Sequence, residues 1–183
     1  MPDVLHFTGD AEADALIARE PLALLVGFAL DQQVPVPVAF AGPLKLKQRL
    51  GRLDAAEIAA TDPERMQEIF REKPAIHRFP GNMAKRVQEL AAVVAEDYEG
   101  DAARVWTDAT DTDDLKRRIE ALPGFGEMKV KALASVLARR MGIAMAEPLV
   151  PSHPMLGDVD SPEALTEYQA AKRAYKAKLR AAQ

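Results

Sequence analysis

DDLKRRIEALPGFGEMKVKALASVLARR, residues 113–140, predicts two helices joined by a tight turn. Apolar residues recur at helical spacing before the turn and again after it, while Pro123 and Gly124 end the first helix. The second helix begins at Gly126. This pattern is typical of a helix-hairpin-helix. A simple Pro-Gly turn between two packed helices would show the same helix-ending residues.

The turn sequence LPGFG, residues 122–126, is suited to holding a phosphate. The first N–H groups of a helix have no partner within that helix, and the helix dipole places positive charge at the same end. Gly124 and Gly126 carry no side chain that would block a close approach, and two lysines follow. The predicted contacts with a DNA backbone are Leu122, Gly124, Phe125, Gly126, Lys129 and Lys131.

The length and composition of the chain allow one helical unit. With 183 residues, of which 48% are apolar, it can bury a single core or two small lobes that share an interface. The sequence has no run of about 18 uncharged apolar residues, and its first residues lack the layout of a signal peptide. We therefore expect a cytoplasmic protein with no membrane partner.

The absence of cysteine limits the cofactors that the chain can hold. Without thiolates we expect no disulfide, no thiolate zinc site and no ordinary iron–sulfur cluster. His6, His77 and His153 are too far apart in sequence for a local metal motif, and surface or capping roles are expected of them. We predict no bound transition metal.

Charge is segregated along a chain whose net charge is −4. Residues 96–114 contain eight acidic residues and a single arginine, whereas residues 45–52 contain four basic residues and no acid. Residues 172–180 carry five further basic residues, again without an acid. Such blocks are usually solvated faces, but opposite signs on opposite sides would allow one face to bind DNA.

The hydrophobic pattern predicts an all-α fold. No segment has the sustained alternation of a strand, and no repeat of about 20 to 50 residues is present. A proline-rich connector is expected at residues 34–43, and an acidic, mostly irregular stretch anchored by Trp106 at residues 98–111. Besides the two helices of the hairpin, we predict helices at residues 11–19, 22–30, 44–49, 54–60, 63–72, 82–97 and 162–180.

Three segments, in this order, resemble the helix-hairpin-helix (HhH-GPD) DNA glycosylase superfamily, which includes endonuclease III and the alkyladenine and 8-oxoguanine glycosylases. PLALLVGFALDQQV, residues 21–34, resembles the early helix that ends in a Gln-Gln turn. GNMAKRVQELAAVV, residues 81–94, resembles the K-A-x-x-I helix of the family, and the hairpin is the third segment. The similarity covers residues 22–153 and describes an atypical, cysteine-free member.

The resemblance implies a two-lobed helical fold, residues 1–183, with a central cleft that receives a nucleotide turned out of the duplex. One lobe would comprise about 22–130 with the hairpin at 113–140, and the other 1–21 plus 141–183. The implied partner is double-stranded DNA, damaged or distorted, in base-excision repair. Gln33 would probe the gap in the base stack, or else cap the preceding helix. Lys85, with its neighbour Arg86, would support the DNA backbone or lie on a solvated face.

The family also tends to hold a monovalent cation in its hairpin through backbone carbonyls. Carried onto this sequence, those carbonyls belong to Glu120, Leu122 and Phe125. Carbonyl ligands require no particular side chain, so the sequence itself neither supports nor opposes the ion. No other cofactor is implied.

The catalytic positions depart from the family pattern. Bifunctional members use a lysine nucleophile six residues after the hairpin leucine, where this chain has Met128. A thioether cannot form an imine, so we expect no β-lyase activity. Monofunctional members also lack this lysine, and removal of a base by hydrolysis stays open.

The family aspartate, which stabilises positive charge on the sugar, has no clear counterpart. Counting along the chain from Met128 leads to Glu147, whereas the match of VPSH to the V-D-T-H motif of the family puts Pro151 at that position. Asp158 lies further on and would require a rearranged loop. Three hypotheses follow: a monofunctional glycosylase that uses Glu147 or Asp158, a DNA-binding protein without hydrolytic chemistry, and a protein-interaction or structural domain.

Overall fold

Every regular element is helical in the computed structural model, which describes residues 2–183. Within those residues there is no strand, and the predicted all-α class is confirmed. The α-helices are α1 (Ala11–Arg19), α2 (Pro21–Leu30), α3 (Val36–Leu50), α4 (Ala55–Ala60), α5 (Pro63–Arg71), α6 (Pro80–Asp97), α7 (Arg104–Thr107), α8 (Thr112–Glu120), α9 (Glu127–Arg139) and α10 (Pro162–Ala181). Two 3₁₀ helices, Ala144–Leu149 and Leu156–Asp158, lie between α9 and α10.

Side-chain caps explain where several helices begin. Asp10, Asp54, Asp62, Asp111 and Ser161 each accept a hydrogen bond from a backbone N–H in the first turn of the following helix. From sequence, Asp62 is the expected cap of the helix at residues 63–72, and Asp111 or Thr112 that of the helix before the hairpin; the structure confirms Asp62 and Asp111. Helices α2, α3 and α6 instead have a proline in the first turn, where its missing N–H costs little.

Helix α3 replaces the proline-rich connector predicted at residues 34–43, so that prediction is wrong. Pro37 lies in the first turn, but Pro43 lies inside the helix and removes an intrahelical hydrogen bond. Pro43 is buried, and its neighbour Gly42 packs so closely on α2 that a Cβ there would lie 2.4 Å from Cδ1 of Leu30. Burial of the side of α3 that packs on α2 outweighs the preference of the prolines for non-helical backbone.

One apolar core connects the helices. Buried side chains from α1 to the first turn of α10 form a continuous cluster. Helix α2 is buried along almost its whole length and packs against α1, α3 and α6, which confirms the predicted central helix. The buried Trp106 of α7 anchors the acidic stretch, as predicted, although α7 makes that stretch less irregular than expected.

The segment after α9 is tied to that helix by Ser135. The hydroxyl of Ser135 accepts a hydrogen bond from the N–H of Gly157 at 2.9 Å and donates one to the carbonyl of Ala132 at 2.7 Å. A Cβ on Gly157 would lie 2.1 Å from the carbonyl oxygen of Ser135, so this contact requires glycine. The second 3₁₀ helix therefore lies directly on α9.

The buried part of helix α10 is near its beginning. Leu165 is buried and Tyr168 is half-buried, whereas Tyr175 and Leu179 are exposed. The basic residues at 173–180 are exposed as well. No helix within residues 2–183, α10 included, has the length and apolar character needed to cross a membrane.

Asp114 fixes helix α8, which leads the chain into the turn at residues 121–126. Its carboxylate accepts hydrogen bonds from the N–H of Thr110 at 3.0 Å and from Nε of Arg118 at 2.9 Å, and it also pairs with Arg117. These contacts, that of Thr110 first, hold the pKa of the Asp114 carboxyl below its ordinary value. The ionised carboxylate therefore stabilises the folded chain.

We expect Asp114→Asn to lower the midpoint of thermal unfolding at neutral pH, because the amide cannot replace the charge-assisted hydrogen bonds. The contribution of Asp114 is present above the ordinary aspartate pKa of about 3.9 and is lost as the pH falls through the lower pKa of the folded state. The difference from wild type should therefore shrink in acid.

The exposed neighbour Asp113, to which the described chain gives no side-chain partner, provides the control Asp113→Asn. Calorimetry of both variants at several pH values makes the comparison. Equal midpoints for wild type and Asp114→Asn at neutral pH would contradict this account of α8.

Candidate nucleic-acid interface

The two helices and the turn predicted at residues 113–140 are present. Helix α8 ends at Glu120 and α9 begins at Glu127. Between them the N–H of Phe125 donates to the carbonyl of Leu122 at 3.1 Å, and Gly124 has a φ of +81°, in the left-handed region that favours glycine. We refer to this unit as the α8–α9 hairpin.

Two apolar side chains anchor the hairpin. Leu122 and Phe125 are buried, and the ring centroid of Phe125 lies 6.4 Å from that of Phe28 near the end of α2. Since both side chains are in the core, a contact of either residue with DNA would have to use the backbone. The hairpin is thereby fixed to the most buried helix of the fold.

The two glycines of the hairpin have different surroundings. A Cβ on Gly124 would lie 2.1 Å from Nη1 of Arg86, so the guanidinium of that α6 residue lies directly against the turn. Gly126, the N-cap residue of α9, has no heavy atom within 4 Å of the position of a Cβ. The left-handed backbone of Gly124 favours glycine, and a Cβ there would displace the Arg86 side chain, whereas Gly126 leaves space for a ligand.

The N-terminus of α9 is uncapped. The first hydrogen bond into the helix runs from the N–H of Val130 to the carbonyl of Gly126 at 3.0 Å. Within the described chain the N–H groups of Glu127, Met128 and Lys129 have no acceptor. Met128 is 65% exposed. Three free donors at the positive end of a helix dipole, next to open space, form a site for an anion.

The two lysines of α9 have different roles. Nζ of Lys131 pairs with Glu127 at 2.8 Å on the surface of the helix. Nζ of Lys129 instead lies 3.3 Å from the carbonyl oxygen of Ala29, in the last turn of α2. Burial lowers the pKa of the Lys129 ammonium, and the nearby Asp31 opposes that shift. Lys129 is therefore a partly buried charge that links α9 to α2.

His77 clamps the turn that follows α2. The ring is 2% exposed, and its Nδ1 accepts a hydrogen bond from the N–H of Phe79 at 3.0 Å. Nε2 therefore carries the proton and donates to the carbonyls of Leu30 at 3.0 Å and Gln32 at 3.1 Å. These carbonyls lie on either side of Asp31. Burial is the main cause of the lowered pKa of His77, so the ring is neutral at neutral pH.

Gln33 extends from this clamped turn. Its side chain is exposed, and its φ of +58° is uncommon for a residue other than glycine. Such a conformation costs roughly 1 kcal/mol and is frequent at functional sites. Within the described residues, the side chain of Gln33 makes no hydrogen bond, and the end of α2 is capped by His77 instead.

Asp31 directly follows α2, near the contact of Lys129 with the last turn of that helix. Burial raises the pKa of its carboxyl, while Lys172, Lys129 and Lys176 act in the opposite direction. The hydroxyl of Tyr168 belongs to the same cluster, since burial and then the negative charges of Asp31 and Asp158 raise its pKa to about 12. The capping role expected of His77 agrees with its contacts at the end of α2, although the ring is buried and not on the surface. No expectation for Asp31 follows from the sequence, because its surroundings come from distant segments.

The carboxylates considered from sequence have different surroundings, and Asp158 borders this cluster beside Tyr168. Glu147 is exposed on the first 3₁₀ helix and has no side-chain partner in the described chain. Asp158 pairs with Arg139 and accepts a hydrogen bond from the N–H of Met155 at 2.8 Å. Pro151 is half-buried in the segment between the two 3₁₀ helices.

The basic residues at 45–52 bind other groups of the chain. Nη1 of Arg49 donates to the carbonyl of Ile69 at 2.7 Å, and the other basic residues of the block bind carboxylates or a backbone carbonyl. Lys85 pairs with Glu89 at 3.9 Å on the side of α6 that borders α4 and α5. Neither the basic block at residues 45–52 nor Lys85 adds positive charge at the hairpin.

The basic block of α10 is free. Within the described chain none of its five cations forms an ion pair. Lys172, Lys176 and Arg180 recur every four residues and therefore share one side of the helix. Lys172 and Lys176 act on Asp31, so this side faces the end of α2.

The backbone of the hairpin has oxygen atoms suited to a cation. The carbonyl of Leu122 accepts one hydrogen bond, from Phe125, and those of Glu120 and Phe125 accept none within the described chain. Carbonyl oxygens are ligands for hard cations, and the monovalent ion that the resemblance implies stays a prediction. No group of three His, Cys, Asp or Glu side chains in residues 2–183 could hold a metal ion.

The structure thus brings the hairpin glycines, Lys129 and Gln33 to one region, together with Arg86 and Asp31. Lys85 lies elsewhere, beside α4 and α5, whereas Asp158 adjoins the region through Tyr168. Comparison of the chain with protein-family models, with curated proteins and with solved structures finds no match.

The two hairpin glycines should respond differently to a methyl group. Gly124→Ala should lower the free energy of unfolding by about 1 to 2 kcal/mol, because the φ is left-handed and the Cβ meets Arg86. Gly126→Ala should change it by less than about 0.5 kcal/mol, because its φ is −80° and the space is open. Urea unfolding of both variants measures the difference, and equal stabilities would contradict the described turn.

Proposed function

We propose that this protein binds double-stranded DNA through the α8–α9 hairpin and recognises damaged or distorted sites. The uncapped N-terminus of α9 carries the proposal. It combines three free backbone donors with the open space at Gly126. We further propose the two-lobed architecture of the HhH-GPD DNA glycosylases, a role in base-excision repair and a cytoplasmic location.

Helix α9 differs in one respect from the other helices of eight or more residues in the described chain. Each of those begins with a side-chain cap or with a proline in its first turn, and α9 has neither. Free N–H groups at a helix start are normally satisfied by a cap, by water or by a ligand. A phosphate bound at Gly126 would supply the missing acceptors.

Positive charge extends the anion site beyond the hairpin. Arg86 lies against Gly124, and Lys129 follows in the first turn of α9. The free cations on one side of α10 continue this surface past the end of α2. A local surface of this kind attracts the DNA backbone even though the net charge of the chain is −4.

The clamped turn after α2 supports recognition of distorted DNA. Gln33 is exposed, and its strained backbone is held by the contacts of His77. Phe79 is also exposed beside this turn, with the guanidinium carbon of Arg78 at 4.9 Å from its ring centroid. A polar side chain on a rigid turn can enter a gap in the base stack, and such gaps open most easily at damaged or mismatched positions.

Strand cleavage through an imine is not part of the proposal. Met128 has the position of the family lysine, and its thioether forms no covalent bond with a sugar aldehyde. The proposed activity is therefore binding, with base removal as the only glycosylase chemistry left open.

Substitutions at Gly126 test the proposal by fluorescence anisotropy. The probes are a labelled duplex with one tetrahydrofuran abasic site and the same duplex intact. We expect wild type to bind both with salt-dependent affinity, Gly126→Ala to bind somewhat more weakly, and Gly126→Leu to lose more than tenfold in affinity, roughly 1.4 kcal/mol. Gln33→Ala should reduce the preference for the abasic duplex.

Wild-type binding by Gly126→Leu would contradict the role of the hairpin. Absence of binding by wild type at low salt would overturn the DNA proposal and favour a protein-interaction domain. Urea unfolding of Gly126→Leu serves as the control for folding.

Two lysines on α10 form a matched pair that tests whether this helix contacts the DNA backbone. Lys176 is on the side that faces Asp31, whereas Lys178 is two residues further on and points about 200° away around the helix. Lys176→Gln should reduce the slope of log Kobs against log salt by about 0.9, the value for one phosphate contact. Lys178→Gln should leave the slope unchanged, and equal slopes for the two variants would exclude α10 from the interface.

A further inference from the structure

Met128 is the only exposed methionine within residues 2–183. It is 65% exposed. The other methionines of that range are buried or half-buried: Met66, Met83, Met141, Met145 and Met155. Since the chain has no cysteine, no thiol competes with the thioethers for an oxidant. A soluble oxidant therefore reaches Met128 before the other methionines of this range.

Met128 lies among the free backbone donors at the start of α9. It is the second residue of the helix, and its own N–H is one of the three that have no acceptor within the described chain. The Cα–Cβ bonds of a helix tilt toward its N-terminus, so the side chain of Met128 leaves the backbone in the direction of those donors. Gly126 leaves open space beside them, with no heavy atom within 4 Å of a Cβ position.

The side chains on either side of Met128 leave these donors open. The Glu127 carboxylate pairs with Lys131 at 2.8 Å, and Nζ of Lys129 lies 3.3 Å from the carbonyl oxygen of Ala29. Neither of them caps the helix. A thioether is only a weak acceptor, so Met128 does not cap it either. A strong acceptor formed on the Met128 side chain would therefore find unoccupied donors next to it.

We propose that Met128 is an oxidative modification site, and that its sulfoxide weakens DNA binding by capping the start of α9. The inference rests on the proposed binding of a DNA phosphate at these donors. The sulfoxide oxygen accepts hydrogen bonds from the amides that otherwise receive the phosphate, and its partial negative charge opposes a phosphate nearby. The thioether form is then the tight-binding state.

The modification needs only a peroxide as oxidant. A lone pair of the Met128 sulfur attacks one oxygen of hydrogen peroxide, so an S–O bond forms while the O–O bond breaks. The hydroxide that leaves takes up the proton of the transferred oxygen and becomes water. The sulfur is oxidised and the peroxide is reduced by the same electron pair. Methionine sulfoxide reductases return the sulfoxide to the thioether, so the change is reversible.

Glutamine provides a genetic mimic of the sulfoxide at this position. Its Oε1 atom is separated from Cα by the same number of bonds as the oxygen of methionine sulfoxide, and both oxygens are strong acceptors. Leucine provides the counterpart, since it has a similar volume, no acceptor and no sulfur to oxidise. Glutamine and leucine also have similar preferences for a helix. Met128→Gln and Met128→Leu therefore separate capping from loss of the thioether.

The test measures DNA affinity before and after treatment with hydrogen peroxide, by fluorescence anisotropy on the tetrahydrofuran duplex. Peptide mass spectrometry locates the sulfoxides. In wild type we expect Met128 to be oxidised first and the affinity to fall roughly fivefold, the factor that corresponds to a side-chain cap at a helix start. Treatment of the oxidised protein with methionine sulfoxide reductases should restore the affinity.

The affinity of Met128→Leu, whatever its starting value, should not change on treatment with peroxide. Met128→Gln should bind more weakly than Met128→Leu without any peroxide. The matched control is Met145→Leu, at a half-buried methionine of the first 3₁₀ helix, which should lose affinity on treatment as wild type does. A measurement without DNA accompanies the assay: oxidation should shift the ¹⁵N–H signals of Glu127, Met128 and Lys129.

An oxidised Met128 with unchanged affinity, or with unchanged amide signals, would overturn the inference and leave the DNA-binding proposal intact. So would a Met128 that stays reduced while the half-buried methionines are oxidised. Equal losses of affinity in wild type and Met128→Leu on treatment would assign the effect to another residue, which also overturns the inference. Failure of untreated wild type to bind the duplex would overturn the proposed function itself, and with it the effect of the sulfoxide on binding.

Discussion

The contact between the hairpin and the last turn of α2 is the interaction on which the whole site depends. Phe125 packs near Phe28, and the Lys129 ammonium lies against the carbonyl of Ala29. Helix α2 is the most buried helix of the fold, so it is a rigid base for the hairpin. This contact brings the free N–H groups of α9, the strained turn at Gln33 and the carboxylate of Asp31 into one region.

Three features of that region reduce the stability of the isolated chain. The N-terminus of α9 lacks a cap, Gln33 has a left-handed backbone, and Asp31 is an ionised group that burial disfavours. Elsewhere the fold avoids such unfavourable features: the start of α8, for example, is capped by the side chain of Asp111. Unfavourable features gathered at one place, and not scattered, are typical of a binding or catalytic site. DNA phosphates bound as proposed would relieve the first.

The sequence predicted most of the helices because their signals are local. The hairpin, the cap at Asp62 and the buried helix α2 each depend on a few neighbouring residues. Helix α3 was predicted wrongly at residues 34–43, because burial against α2 overrides the preference of its prolines. The surroundings of Asp31 could not be predicted from sequence for a similar reason, since the lysines that act on it come from α9 and α10.

The most direct test of the central claim is an NMR titration of ¹⁵N-labelled protein with a duplex that carries one tetrahydrofuran site. If phosphates bind at the start of α9, the backbone amides of Gly126, Glu127, Met128 and Lys129 should show the largest shifts. Those shifts should saturate together and diminish at high salt. Saturable shifts elsewhere with these four amides unchanged would show that DNA binds another surface, and would contradict the account.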